Sequence, residues 1–84
     1  MRITEEQHQE INVLIQFNLS SMQEGIKVHG EADSDIIAAT CRLYDKGLIT
    51  QEDGGYLTSL GHTAAEHAQA LKTILLTSER AAAE

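Results

Sequence analysis

The segment Glu52-Asp53-Gly54-Gly55, set between Leu48-Ile49-Thr50-Gln51 and Tyr56-Leu57-Thr58, most constrains what this chain can fold into. Asp-Gly supplies the positive φ that tight hairpin turns require, and the flanking runs carry the β-branched and aromatic residues of short strands. A hairpin pairing about 48–51 with 55–58 is therefore expected. Two strands alone are only marginally stable in water, so the hairpin must pack on helices drawn from the rest of the chain. With 84 residues there is room for one such domain, and Leu, Ile, Val and Phe make up about a quarter of it. That fraction is above the roughly 20% below which charged chains stay disordered.

The helices announce themselves through caps and spacing. Thr4 and Gln7 have capping-box spacing, Glu5 and Glu6 fall in a first turn, and Ile11, Leu14, Ile15 and Asn18 follow with helical period, with Val13 and Phe17 as a second seam. The pattern predicts a helix over 5–18. Asp33 is a good N-cap and Gly47 is placed as a left-handed C′ residue, which predicts a second long helix over 33–46. Its apolar side is Ile36, Ile37, Thr40, Cys41, Leu43 and Tyr44, and Asp35, Ala38, Arg42 and Asp45 lie opposite. Thr58 or Ser59 caps a last helix to about residue 76, with Leu60, Ala64, Ala68, Leu71 and Leu75 on one stripe. Between the first two, Ser20 and Ser21 with Gln23 and Glu24 resemble a helix start, whereas Gly25-Ile26-Lys27-Val28-His29 alternates like a strand. A short helix over 21–28, packed through Met22 and Ile26, is the preferred reading, with an edge strand at 26–28 as the alternative. The expected core is Ile11, Leu14, Ile15, Ile36, Leu43, Leu48, Leu57, Leu60 and Leu71. Residues 1–77 form the domain and 78–84 a frayed tail, because nothing large remains there to bury.

This order of elements resembles a winged helix-turn-helix domain: mainly α, with a small β-hairpin as the wing. The residues that carry the resemblance are Leu43-Tyr44-Asp45-Lys46-Gly47-Leu48-Ile49, leading from the third helix into the wing, and Leu57-Thr58-Ser59-Leu60-Gly61, closing it. The runs Gln23-Glu24-Gly25-Ile26-Lys27-Val28-His29 and Asp45-Lys46-Gly47-Leu48-Ile49-Thr50-Gln51 with Asp53-Gly54-Gly55-Tyr56-Leu57-Thr58 are similar to a family of small uncharacterised bacterial proteins. Some of its members are labelled DNA-binding or regulatory. The resemblance implies that the helix over 33–46 is a recognition helix for double-stranded DNA. Asp35, Ala38, Arg42 and Lys46 would then lie near the groove, and a continuous positive stripe across Arg42, Lys46 and Lys27 would support DNA binding.

Charge opposes that implication. Thirteen acids against six bases give a net charge of -7, and the bases Arg2, Lys27, Arg42, Lys46, Lys72 and Arg80 are scattered. Phosphate binding draws its affinity from clustered cations, and Glu52 and Asp53 at the wing tip would be repelled. Arg42 is the only side chain on the helix able to make a bidentate contact to guanine. Two functions thus stand side by side: a DNA-binding transcriptional regulator, and a protein-interaction module that keeps the fold without binding DNA.

Enzymatic function is not expected. There is no nucleophile beside a base, no phosphate-cradling glycine loop and no paired carboxylate in an apolar setting, and the composition points to no cofactor. His62 and Glu66 share a helix face while His67 points elsewhere, so a surface pair is expected there and no metal site. Cys41 reads as a small core residue, which fits a reducing, cytoplasmic setting, and no apolar run is long enough to span a bilayer. Finally, Leu71, Ile74, Leu75 and Leu76 exceed what one small core needs, and a homodimer through the last helix would account for them.

Overall fold

The structure, a computed structural model, describes residues 2–21 and 24–82. Its elements are α1 (Glu5–Ile15), β1 (Ile26–Lys27), α2 (Ser34–Asp45), β2 (Ile49–Gln51), β3 (Gly54–Leu57) and α3 (Ser59–Ala82). Three helices and a three-stranded antiparallel sheet of order β1-β3-β2 give a mainly helical single domain with a winged-helix-like layout.

Local chemistry sets the boundaries. Both halves of the Thr4–Gln7 capping box are formed, with Thr4 N–H donating to Gln7 Oε1 at 3.0 Å and Gln7 N–H to Thr4 Oγ1 at 3.1 Å. The helix ends at Ile15 rather than 18, and a residue from α3 meets its C-terminal carbonyls. Gln69 Nε2 donates to the carbonyl oxygens of Ile15 at 3.3 Å and Phe17 at 2.8 Å. Asp33 caps α2 by accepting from Asp35 N–H at 3.0 Å, and Gly47 adopts φ 79° just past its end. Thr58 caps α3 through Gly61 N–H at 3.0 Å and donates its own hydroxyl to Gly47 O at 2.7 Å, joining the two ends of the wing. α3 continues to Ala82, past the expected end near 76; residues 83 and 84 of the expected frayed tail lie outside the described residues.

The expected short helix over 21–28 is corrected to a strand, the alternative reading. Ile26 and Lys27 pair with Gly55 and Gly54 of β3, and Val28 N–H donates to Asp53 O at 2.7 Å. The physical reason is the free edge of β3, which offers these backbone groups partners that a short isolated helix would lack. Gly25 favours the pairing, since a Cβ there would strike the Gly55 carbonyl. Met22, expected to pack with Ile26, lies outside the described residues. In the hairpin the chain reverses over Glu52 and Asp53, with positive φ at Gly54 and Gly55 and a register shift between Ile49 and Gln51, so Asp-Gly is not the centre of the turn. Thr50 Oγ1 accepts from Tyr56 N–H at 2.9 Å across this irregularity.

The core comprises Val13, Leu14, Phe17, Ala39, Leu43, Ile49 and Ala65, with Leu48, Leu57, Leu19 and Ile26 packed against it. Leu14, Leu43, Leu48 and Leu57 sit where expected. Ile36, Leu60 and Leu71 do not: they are 37%, 60% and 49% exposed. Ile11 and Ile15 are only half-buried, because α1 turns its 13, 14, 17 seam inward and leaves the 11, 15 seam at the rim.

Candidate nucleic-acid interface

The α2 helix presents two different sides. Ser34, Asp35, Ile36, Ala38, Tyr44 and Asp45 are exposed, whereas Arg42 turns toward α1, and Lys46 at the C-cap, itself half exposed, reaches the same way. There they meet Glu10, which is 6% exposed. Arg42 Nε donates to Glu10 Oε2 at 2.8 Å, Lys46 Nζ donates to Glu10 Oε1, and Arg42 Nη2 reaches the Glu6 carbonyl at 3.2 Å. Glu6 adds a longer ion pair to Arg42 at 3.9 Å.

The electrostatics of this triad are reciprocal. Burial pushes the Glu10 carboxyl up, but the hydrogen bonds and charges of Lys46 and Arg42 outweigh it and hold the group below the ordinary carboxylate range. The hydrogen bond to Glu10 raises the Arg42 guanidinium pKa in turn.

The sequence reading did not single out Glu10, although a signal was present. Positions 10, 13, 14 and 17 form one i, i+3, i+4, i+7 stripe, and a carboxylate on a core stripe needs a cationic partner from another element.

The remaining candidates are placed apart from this triad. Lys27 is exposed on β1 and lines a cavity of about 320 Å³ between β1, α2 and the wing tip, whose walls include Val28, Ile37, Cys41, Glu52 and Asp53. Ala38 is exposed on the outer side of α2, next in the helix to acidic Asp35. The four proposed DNA contacts therefore do not form one positive stripe: two cations converge on Glu10, and the third stands over a cavity edged with carboxylates. Cys41 is partly buried. His62 Nδ1 lies 3.3 Å from Glu66 Oε1, the expected surface pair, and His8 is matched with Asn12 and Glu5 on α1. Among the described residues no three potential metal ligands gather, and no helix is long and apolar enough to cross a membrane.

Among curated proteins and among solved structures, none matches the chain. A family model does, over residues 1–76: by its sequence the chain belongs to a family of unknown function, DUF5669.

Proposed function

We propose that this domain is a non-enzymatic interaction module that keeps a winged-helix-like layout and binds protein rather than DNA. The observation that carries this reading is the engagement of Arg42 and Lys46, the two cations of α2, by buried Glu10. To make a bidentate contact to guanine, Arg42 would have to turn away from the Glu10 carboxylate and the Glu6 carbonyl, leaving half-exposed Lys46 to hold the desolvated carboxylate. What α2 shows to solvent besides half-exposed Lys46 is Ser34, Asp35, Ile36, Ala38, Tyr44 and Asp45, a surface with two carboxylates, and Glu52 is exposed at the wing tip. This surface favours a neutral or basic protein partner over a polyanion.

The test is fluorescence anisotropy with a random-sequence duplex at low and physiological salt. Wild type is expected to give no binding at physiological salt, while Glu52→Lys with Asp53→Lys gains salt-sensitive, sequence-independent affinity by removing repulsion at the wing. Wild-type binding to a duplex at physiological salt that disappears in Arg42→Ala would return the function to DNA recognition through α2.

A further inference from the structure

The last helix carries an apolar surface that its own domain leaves uncovered. Every residue from Ala70 to Thr77 is exposed, and Leu71, Ile74, Leu75 and Leu76 are 49%, 59%, 55% and 54% exposed. Beside it runs a groove of about 270 Å³, lined by Ile11 and Ile15 of α1 and by Leu71, Lys72, Leu75 and Leu76 of α3.

Charge selects what covers this face. In a chain with thirteen acids, the groove is built from two stretches that have none, 11–23 and 67–78, and its one charge is Lys72. Two copies, each of charge -7, repel wherever their acidic surfaces meet, and this face lets them meet without opposing carboxylates. A membrane-surface helix would instead carry Lys and Arg along its polar face, and this one does not.

We infer that a second copy of this chain packs on the groove face formed by Leu71, Leu75 and Leu76, giving a two-fold dimer. The two α3 helices run antiparallel about an axis near Thr73, so that Leu71 of each copy faces Leu75 of the other, the reciprocal pairing that an isologous contact requires. Antiparallel packing also sets the two acidic bodies at opposite ends of the helix pair. The inference does not depend on whether α2 binds DNA or protein.

Sedimentation velocity on the full chain, from micromolar to several hundred micromolar, tests it. The expected result is a monomer–dimer equilibrium that tightens roughly several-fold as NaCl rises from about 50 to 500 mM, because salt screens the repulsion between like-charged copies. Leu71→Glu with Leu75→Glu should be monomeric throughout, and Leu71→Ala with Leu75→Ala should weaken the dimer while retaining the helical circular dichroism of wild type. A wild-type monomer at the highest concentration overturns the inference. So does a dimer that persists at full strength in the folded Ala variant, or a monomer that partitions onto phosphatidylcholine vesicles through this face.

Discussion

Glu10 has the most consequential side chain in the domain, because one carboxylate fixes the orientation of two cations and the crossing of two helices. Breaking its charged hydrogen bonds should cost about 1–3 kcal/mol in Glu10→Gln, measured by urea melts at neutral pH. The pH dependence has a definite sign. Arg42 and Lys46 depress the folded-state pKa of Glu10, so its contribution is fully present above the unfolded value of about 4.3 and is lost as pH falls through the lower folded value. Wild type should lose stability below about pH 4.3 more steeply than Glu10→Gln, and identical acid limbs in the two proteins would show that the triad does not stabilise the fold. Leu43 acts at the same scale by packing. It is 1% exposed at the centre of the core, and Leu43→Ala should cost roughly 2–5 kcal/mol in the same melts.

Among the elements, the wing and the start of α3 are joined by close backbone approach. The Gly61 position on α3 lies so near the Leu48 carbonyl that any Cβ would collide with backbone. Gly61→Ala should therefore destabilise by more than about 1–3 kcal/mol, the usual cost of overpacking, because the obstructing atom belongs to the main chain and cannot swing away. A near-neutral melt for that variant would mean that α3 and the wing can separate without loss. The sheet follows the same logic. Gly25 and Gly54 allow β1 and β3 to meet, which brings together the two runs that carry the resemblance to small bacterial proteins.

Across the whole molecule, charge and shape work in different places. Acids crowd the exposed side of α2 and the wing tip, while the apolar surplus lies along α3 and the rim of α1. These two surfaces make opposite demands on salt. Added salt would weaken any contact made by α2 with a charged partner and strengthen a contact made through α3, so one titration separates the interactions.

Caps, turn glycines and helical periodicity are local, and they alone determined α2, the hairpin and the start of α3: Asp33, Gly47, Glu52 to Gly55 and Thr58 each satisfy or release backbone groups within a few residues. The surplus at Leu71, Ile74, Leu75 and Leu76 was legible in the same way, as more apolar side chains than one core can hold. Long-range contacts decided the rest. Whether 26–27 pairs as strand depends on the free edge of β3, and where α1 ends depends on Gln69 from the far end of the chain. Which seam of α1 faces inward depends on Glu10 finding Arg42 and Lys46 more than thirty residues away. Local periodicity gives α1 two apolar seams of similar strength, and only packing against α2 and α3 chooses between them, which is why Arg42 and Lys46 read as free surface cations until the fold placed a buried carboxylate beneath them.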